Sequence, residues 1–345
     1  MIRIQKYTDA NKEQWDEYVE KSICSSPYHL IEWKDVIEKS YGHHPYYIFA
    51  VKNERVVGIL PLFHINSTFF GSYIASIPFV TYGGPIVDNE QIKLILLAES
   101  QKIAKRAKAS YIEFHTAEKM NKNLETNENK VTTVLSLENK DEQNQWGDLT
   151  ARLRNKIRKA KKTGMYSKIG GANLLEDFYK IFAIRMHGLG SPVHSRDFFH
   201  NIIMALGERV KIFIIYLDEL PIATAMTIEY KNRIENPWTS SIIQYSKYYP
   251  NCFLFWEIIK YAIKNKCKFF DFGRSSKNSG TYYFKKLWNT SEKQLFWQYD
   301  FLGNTKKGGF SKNSLKAKLA IWCWKKLPLF LANKIGPNIR KFIPE

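Results

Sequence analysis

The strongest candidate for a chemical site is a run of polar and aromatic residues late in the chain, DFGRSSKNSGTYYFKKLW, from Asp271 to Trp288. Within eighteen residues it combines one carboxylate, several cations and hydroxyls, and five aromatic rings, whereas polar surface loops seldom carry so many rings. The run begins at the end of an apolar strand, where α/β sheets usually bind their ligands. The sequence therefore predicts a ligand-binding crevice at this point.

A second candidate is the basic segment Ala151–Lys162, which predicts a helix that ends before Gly164. Its residues Leu153, Ile157 and Ala160 fall on one narrow stripe at helical spacing. Cations cover nearly all of the remaining surface: Arg152, Arg154, Lys156, Arg158, Lys159, Lys161 and Lys162. Solvated helices usually mix charges of both signs, because like charges repel. The pattern therefore favours phosphate binding over a merely solvated surface.

The positive charge of the chain is concentrated in two places. The net charge is +19, from 52 lysines and arginines and 33 aspartates and glutamates. Residues 151–168 hold eight positive and no negative side chains, and residues 303–345 hold ten positive and one negative. We therefore expect an acidic partner, such as a phosphate, a nucleic acid or an anionic membrane. The hydrophobic content of 44% excludes a wholly disordered protein.

Several familiar kinds of site are excluded because their motifs are missing from the sequence. There is no Walker loop, no GxGxxG followed by a ribose-binding acid, no GxSxG elbow and no HExxH or Cys/His cluster. The triplet Asp271-Phe272-Gly273 is similar to the kinase metal-binding triplet, but the other kinase motifs do not precede it at the required spacing. We therefore expect neither a metal site, nor a tightly bound cofactor, nor covalent catalysis.

The sequence also favours a cytoplasmic protein. The cysteines have neither metal-clip nor redox spacing, which indicates reduced thiols: Cys24, Cys252, Cys267 and Cys323. The segment MIRIQKYTDANKEQW lacks the apolar run of a signal peptide. The long uncharged stretch 56–87 is divided by prolines and glycines into pieces of strand length, so we do not expect it to cross a bilayer.

The elements that must hold the candidate sites occur twice along the chain, each time as a hairpin, a helix and a further strand. The first set is Tyr46–Val51, Val56–Phe63, 91–109 and Tyr111–Phe114. The second set is Val210–Leu217, Pro221–Tyr230, Cys252–Asn265 and Lys268–Phe272. Two copies of one α/β unit explain this order with the fewest assumptions. Between them we expect a polar loop at Glu118–Lys130 and a strand at Val131–Leu137.

The duplication predicts a domain organisation with a basic connector and a basic tail. We expect an N-terminal domain at 1–145, a basic helix and connector at 146–170, a C-terminal domain at 171–302 and a basic amphipathic tail at 303–345. The tail mixes tryptophan, leucine and lysine, which is typical of segments that lie at a membrane interface. Pro328 should divide it into two short helices. Packing against the second domain is the alternative fate of this tail.

Five segments, in matching order over roughly residues 1–300, together resemble one known family. They are GHHPYYIFAVKNERVVGILPLF (42–63), FFGSYIASIPFVTYGG (69–84), LRNKIRKAKKTGM (153–165), RMHGLGSPV (185–193) and FDFGRSSKNSGTYYFKKLW (270–288). The set is similar to the FemAB-type transferases, and most closely to the subgroup associated with exosortase (PEP-CTERM) and exopolysaccharide systems. This resemblance implies an α/β (α+β) fold of two tandem GNAT-like domains, each with a mixed β-sheet flanked by helices.

The resemblance implies an N-acyltransferase. The better-characterised relatives move an amino acid from aminoacyl-tRNA to an amine of a peptidoglycan precursor, so we expect a lipid-linked or nucleotide-linked envelope precursor as acceptor. Acyl-CoA is the alternative donor, because the long coiled-coil arm of those relatives is absent. The one match to the CoA pyrophosphate loop, Arg185 to Gly190, lies at the expected end of a helix, so we interpret it as chance. A non-catalytic polysaccharide- or nucleic-acid-binding protein is the other alternative.

The resemblance also assigns residues to roles. The family's Phe-Lys pair, whose lysine contacts the reacting donor, resembles Phe284-Lys285. Either Lys285 or a backbone N–H beside it would stabilise the oxyanion of an acyl transfer. Asp271 is a candidate base, or a cap or ion-pair partner of Arg274. From the chemistry of their side chains, Arg185 and Arg274 are expected to hold a diphosphate or carboxylate. The aromatic residues expected to form the cleft wall are Tyr82, Trp238, Tyr282 and Trp288. The residues expected to bind tRNA or phosphate are Arg152, Arg154, Arg158 and Lys159. The family's next Gly-Phe is Leu287-Trp288 here, so the acceptor wall should differ.

Overall fold

The computed structural model of the 345-residue chain describes residues 1–68, 70–303 and 315–344. These residues divide into two compact units. The first comprises Met1–Lys130, a segment that begins at Gln294, and the residues that follow Arg340. The second comprises Val131–Lys293 and the helices of the tail up to Arg340.

The strands of the described residues are β1 (Ile2–Lys6), β2 (His44–Pro45), β3 (Ile48–Lys52), β4 (Arg55–Leu60), β5 (Phe63–Ser67), β6 (Gly71–Ala75), β7 (Ile86–Val87), β8 (Tyr111–Thr116), β9 (Glu125–Asn127), β10 (Lys130–Ser136), β11 (Tyr166–Gly170), β12 (Val210–Leu217), β13 (Leu220–Tyr230), β14 (Arg233–Ser241), β15 (Phe269–Ser276), β16 (Ser291–Gln294) and β17 (Phe296–Phe301). The α-helices are α1 (Lys12–Lys21), α2 (Glu32–Tyr41), α3 (Glu90–Arg106), α4 (Glu142–Asp148), α5 (Ala151–Lys162), α6 (Leu175–Leu189), α7 (Arg196–Leu206), α8 (Pro250–Lys264), α9 (Gly280–Lys286), α10 (Leu315–Lys326) and α11 (Leu329–Arg340).

The first unit is built on two sheets, with strand orders β1-β3-β4-β7 and β2-β5-β6-β8-β17-β9. Helix α3 begins after Asn89, whose side chain accepts a hydrogen bond from the Ile92 backbone N–H at 3.1 Å. The buried face of α3, which includes Ile92 and Leu96, packs into one apolar core with the strand residues Leu60 and Phe114. The second sheet is mixed, because β6 and β8 run parallel.

The second unit has one mixed sheet in the order β11-β12-β13-β14-β15-β10-β16. Nearly every residue of β13 is buried, as expected of a central strand covered by helices on both faces. Helix α8 packs against β12 and β13, and α5 packs on α8. The core on this side includes Ile157 of α5, Trp256 of α8 and Phe272 of β15. Helix α6 packs against β13 and β14.

The repeated hairpin, helix and strand that the sequence predicts are present in both units. The first set corresponds to β3, β4, α3 and β8, and the second to β12, β13, α8 and β15. Two local predictions were wrong. The polar segment Glu118–Lys130 contains β9, which pairs with β17 through residues remote in sequence. Helix α8 begins at Pro250, a favourable first helical residue, two residues before the expected start at Cys252.

The two compact units are divided differently from the expected domain bounds. Strand β10, which was expected to close the N-terminal domain, lies beside β15 in the sheet of the second unit. Strand β17 returns to the first unit, where it pairs antiparallel with β8. The basic helix α5 is an integral part of the second unit rather than a separate connector.

The tail forms α10 and α11, separated at Pro328 as predicted, and both helices pack on α6. The expected tail began at residue 303, and residues 304–314 lie outside the described part of the chain. Among the helices that the structure describes, none has the length and apolar composition needed to cross a membrane.

Candidate functional site

The parallel strands β14 and β15 separate after a short shared ladder in the second unit. They pair from Arg233 opposite Phe269 to Glu235 opposite Asp271, and then the ladder ends. At the same point β14 bulges against β13, because Asn236 and Pro237 together face a single residue of that strand. Bulges next to separating strands are typical of ligand sites. The gap between these strand ends is therefore the candidate site.

Gly273 lies within β15, two residues beyond the last pair of its ladder with β14. Its φ of +73° is unfavourable for other residues, and a Cβ atom there would overlap the Asn236 carbonyl oxygen. Its backbone N–H donates to Asp271 Oδ1 at 2.9 Å. A residue with a side chain would force β14 and β15 apart at this point, so the geometry of the gap depends on this glycine.

Lys285 reaches the end of β15 from the short helix α9. This helix begins after Ser279, whose hydroxyl accepts a hydrogen bond from the Tyr282 N–H at 3.2 Å. The Lys285 ammonium donates to the carbonyl oxygens of Gly273, at 2.7 Å, and Arg274, at 3.1 Å. An ammonium has three N–H donors, and the described residues supply acceptors for two of them, so the third is a candidate for a ligand contact.

Burial is the main influence on the protonation of Lys285. The side chain is 8% exposed, and burial lowers the pKa of its ammonium to about 8, although the nearby Asp271 carboxylate opposes this shift. At pH 7 the side chain is therefore still mostly charged. A buried cation can stabilise negative charge on a ligand strongly, because little water screens it.

Asp271 is completely buried and holds the frame of the site together. Its Oδ1 atom accepts hydrogen bonds from the Thr132 hydroxyl and the Gly273 N–H. Its Oδ2 atom lies 3.5 Å from the Arg233 guanidinium. These contacts tie β10, β14 and β15 together around the carboxylate, and they suit an anchoring residue. The guanidinium of Arg233 is therefore one partner of this carboxylate.

Two buried polar side chains at the gap were missed from the sequence. Asn236 Nδ2 and Ser275 Oγ are buried, and neither atom has a hydrogen-bond partner among the described residues. Buried polar groups are nearly always paired, so such atoms are candidates for ligand contacts. The pair Asn236-Pro237 inside a strand pattern was the available signal, since both residue types are rare in strands.

In the first unit, the corresponding gap is filled by the chain itself. Strands β6 and β8 also run parallel and pair only at Ile74 with Ile112 and Ala75 with Glu113. Beyond them, the His115 N–H donates to Ser76 Oγ at 3.1 Å. The N–H groups of Gly83 and Gly84 both donate to the His115 carbonyl oxygen at 3.0 Å. The gap of the second unit is therefore the better candidate for a ligand.

The predicted aromatic residues have mixed positions. Trp288 is fully buried in the core of the second unit, and Phe284 packs between it and Phe255. Trp238 packs edge-on against Phe198 and Phe199 of α7. Two more lie elsewhere: Tyr282, whose hydroxyl donates to Glu292 Oε2 at 2.7 Å, and Tyr82, which belongs to the first unit.

The predicted arginines of the cleft lie on different elements. Arg274 is half-buried on β15, beside the candidate site. Arg185 lies within α6, and Gly190 caps the end of this helix with a φ of +75°. A Cβ atom at Gly190 would lie 2.5 Å from Ile321 Cγ2. Helix capping and close packing thus explain why a glycine stands at position 190, at the end of the segment that matches the CoA pyrophosphate loop.

The basic helix α5 has the bounds that the sequence predicts, and its stripe of Leu153, Ile157 and Ala160 is buried. Thr150 caps it by accepting from the Leu153 N–H at 3.2 Å. Across residues 1–68, 70–303 and 315–344, no ion pair neutralises any of its cations. The helix therefore presents unbalanced positive charge, as an anion-binding surface would.

Not every cation of α5 is available to a ligand. Arg154 donates to the carbonyl oxygens of Gly147, at 2.8 Å, in the last turn of α4, and of Leu149, at 2.6 Å, just after this helix. Arg158 lies 5.5 Å from the Trp146 ring centroid as a cation–π pair. Arg152 and Lys159 are exposed, and neither makes such a contact with any residue that the structure describes. Arg154 is thus a structural cap, whereas Arg152 and Lys159 remain candidates for phosphate contacts.

No group of His, Cys, Asp and Glu side chains that could hold a metal ion occurs in the described part of the chain. The buried cysteines Cys252 and Cys267 have thiol pKa values raised by burial, to about 11 and about 12, so they remain protonated at neutral pH.

Comparisons with known proteins agree with this geometry. Residues 148–286, which contain the gap, match the family model of the acetyltransferase (GNAT) domain. Among solved structures, the chain is similar to FemX, with a TM-score of 0.65 and 16% identity over 86% of this chain and 96% of FemX. No match was found among curated proteins.

Two further solved structures are similar along nearly their whole length. One is the C-terminal domain of a putative lysylphosphatidylglycerol synthetase from Agrobacterium fabrum, with a TM-score of 0.57 and 11% identity over 91% of this chain and 94% of that one. The other is a tandem GNAT protein from the clavulanic acid biosynthesis pathway, with a TM-score of 0.58 and 9% identity over 89% and 100%. The predicted fold, α/β with two tandem GNAT-like domains, is confirmed.

Proposed function

We propose that this protein is an N-acyltransferase whose reaction takes place at the gap between β14 and β15. One observation carries the proposal: Lys285 is buried at the point where these strands separate, within the segment that matches the GNAT domain. The donor is an activated acyl or aminoacyl group, and the acceptor is an amine. The resemblance to FemAB-type transferases, which places a donor-contacting lysine at this position, supports the same assignment.

The chemistry follows from the charges that the reaction develops. A neutral amine attacks the activated carbonyl carbon, and the carbonyl oxygen becomes an oxyanion. The remaining N–H of Lys285 stabilises this oxyanion, and a preorganised donor of this kind contributes about 3 kcal/mol. When the intermediate collapses, the C–N bond is kept, the ester or thioester bond breaks, and the proton of the amine leaves through water or the departing group.

Asp271 and the unpaired polar groups have supporting roles in this mechanism. Asp271 positions Gly273, and through it the carbonyl that orients Lys285, so we assign it a positioning role rather than that of the base. Asn236 Nδ2 can donate a hydrogen bond to the bound acyl group, and Ser275 Oγ can donate or accept one. Arg274 lies beside the site on β15 and supplies positive charge for an anionic part of the donor.

Aminoacyl-tRNA is the donor that we favour. The unneutralised cations on α5 suit a phosphate backbone, and they belong to the same unit as Lys285. Two similar structures carry names connected with the cell envelope, FemX and lysylphosphatidylglycerol synthetase, and this supports a peptidoglycan, polysaccharide or lipid-linked precursor as acceptor. We place the reaction in the cytoplasm, where charged tRNA is made.

Acyl-CoA is the second candidate donor. The matching family model is that of an acetyltransferase domain, and another similar structure is a tandem GNAT protein. CoA carries a diphosphate, so the same cations would serve it. Two parallel assays decide between the donors. The purified chain is incubated with an extract of envelope precursors and either labelled aminoacyl-tRNA or labelled acetyl-CoA. Label that enters the precursors from tRNA alone supports our proposal, and label from acetyl-CoA alone supports the second candidate.

A non-catalytic binding protein is the remaining alternative. It predicts that the chain retains tRNA or polysaccharide on a filter but transfers no label from either donor to any precursor. Such a result, obtained with protein whose folding has been verified by its thermal transition, would overturn the proposed function.

A further inference from the structure

The two tail helices expose apolar side chains on the faces that point away from the protein. On α10, Leu315, Leu319 and Trp322 follow one another at helical spacing, and Leu319 and Trp322 are 61% and 60% exposed. On α11, Phe330 is 70% exposed and Ile335 is 41% exposed. Large exposed apolar side chains that cluster in this way mark an interaction surface.

The opposite faces of the same helices are fixed to α6 and its surroundings. Ala317 and Trp324 of α10 are buried, and so are Ala332 and Gly336 of α11. The Leu327 carbonyl oxygen, between the helices, lies 2.9 Å from His187 Nε2 of α6. The tail is therefore packed on the second unit through these faces, and the apolar residues of the opposite faces remain exposed in this packed position.

The charge around these residues is entirely positive. Residues 315–344 contain seven lysines and arginines and no aspartate or glutamate. Lys318, Lys325 and Lys326 are exposed on α10, and Lys334 is exposed on α11 between Phe330 and Ile335. Lys326 also lies 5.9 Å from the Trp322 ring centroid. A ligand that binds this surface must therefore offer both an apolar region for these side chains and negative charge for the lysines.

A protein partner fits this surface poorly. Protein interfaces are depleted in lysine, and a second copy of the chain would bring another face of the same charge, from a protein of net charge +19. An anionic bilayer fits both requirements, because tryptophan and leucine enter the headgroup region while lysines contact lipid phosphates. No described helix is long and apolar enough to span the bilayer, so the tail would lie on it.

We propose that α10 and α11 form a docking surface for the face of an anionic membrane, with Leu319, Trp322 and Phe330 inserted and the lysines at the phosphate level. This surface is independent of the transfer reaction, and it stands whichever donor the enzyme uses. It would place the second unit beside lipid-linked molecules.

Vesicle flotation tests the apolar part of the proposal. The full chain should float with vesicles of phosphatidylcholine and phosphatidylglycerol, and it should not float with phosphatidylcholine alone. The double variant Leu319→Ser/Trp322→Ser should lose at least about tenfold in partitioning. The matched control is Met204→Ser/Ile243→Ser, which changes two equally exposed side chains, at 66% and 62%, and should float like the unchanged protein.

The electrostatic part has its own pair of variants. Lys325→Gln/Lys326→Gln removes two adjacent lysines from the end of α10, and it should weaken partitioning about tenfold or more. The matched control is Lys264→Gln/Lys266→Gln, which removes two exposed lysines from the C-terminal end of α8 and should leave flotation unchanged. Equal losses for both pairs, or an absence of flotation with anionic vesicles, would overturn the proposal. A vesicle-free dimer that Leu319→Ser/Trp322→Ser dissociates would overturn it as well.

Discussion

The burial of Lys285 predicts a measurable dependence of stability on pH. Its ammonium has a pKa of about 8 in the folded protein and 10.5 as the ordinary value. Between these values the unfolded chain binds more protons than the folded one, so stability rises with pH in this window. One pKa unit corresponds to about 1.4 kcal/mol, so the contribution of Lys285 should improve by roughly 2 kcal/mol between pH 7 and pH 9.5.

The comparison of variants isolates this contribution from every other titrating group. Lys285→Met removes the titration, and Lys286→Met, which changes the exposed neighbour, keeps it. Urea unfolding of the three proteins at pH 7 and pH 9.5 gives the difference directly. We expect the unchanged protein and Lys286→Met to gain about 2 kcal/mol relative to Lys285→Met over this range. An equal pH dependence of all three proteins would refute the burial of Lys285 as a charged group.

Three further predictions concern the site, the basic helix and the strand gap. Ser275→Ala removes a buried hydroxyl that has no partner among the described residues. The free energy of unfolding should therefore change by less than about 1 kcal/mol, while kcat/KM should fall several-fold. A loss of stability with unchanged kcat/KM would show that the hydroxyl is purely structural. Arg152→Gln/Lys159→Gln should weaken tRNA retention on filters and flatten its salt dependence. Arg154→Gln should instead destabilise the fold by about 1–3 kcal/mol, because it leaves backbone carbonyls unpaired. The reverse pattern would contradict the roles assigned to these residues. Gly273→Ala should lower the free energy of unfolding by more than about 2 kcal/mol and abolish transfer, because the new Cβ atom overlaps β14. A fully active, equally stable variant would show that the close approach of Gly273 to β14 is not needed.

The regular elements could be predicted because their patterns depend on neighbouring residues. Helix α5 has the predicted bounds because one narrow apolar stripe, the cap at Thr150 and a glycine at position 164 all specify the same helix. The repeated hairpin, helix and strand were found for the same reason. The division at Pro328 follows from the chemistry of proline alone.

The site was predicted less completely, because it depends on contacts between residues that are remote in sequence. The sequence placed the start of the run Asp271–Trp288 at the end of a strand, whereas β15 continues to Ser276. The sequence also could not show that Trp288 lies in the core. The capping role of Arg154 depends on where α4 ends. The position of Asn236 Nδ2, which has no partner among the described residues, depends on a bulge in the pairing of β13 and β14.

The placement of strands between the units was equally beyond a local pattern. Strand β17 follows β16 after a single residue, yet the two belong to different sheets. Strand β16 is a short polar segment and β17 is rich in aromatic residues, but neither composition specifies a sheet. The choice of sheet depends on partners more than a hundred residues away, such as β8 for β17. Local patterns predict elements, and pairing between distant strands decides the compact units.

The rate of acyl transfer by Lys285 variants tests the central claim most directly. The chain is incubated with labelled aminoacyl-tRNA or acyl-CoA and an extract of envelope amines, and the acylated product is quantified by mass spectrometry. Our account predicts product with the unchanged protein and with Lys286→Met, and a rate about a hundredfold lower with Lys285→Met. Equal rates for Lys285→Met and Lys286→Met, or no acylated amine from either donor, would contradict it.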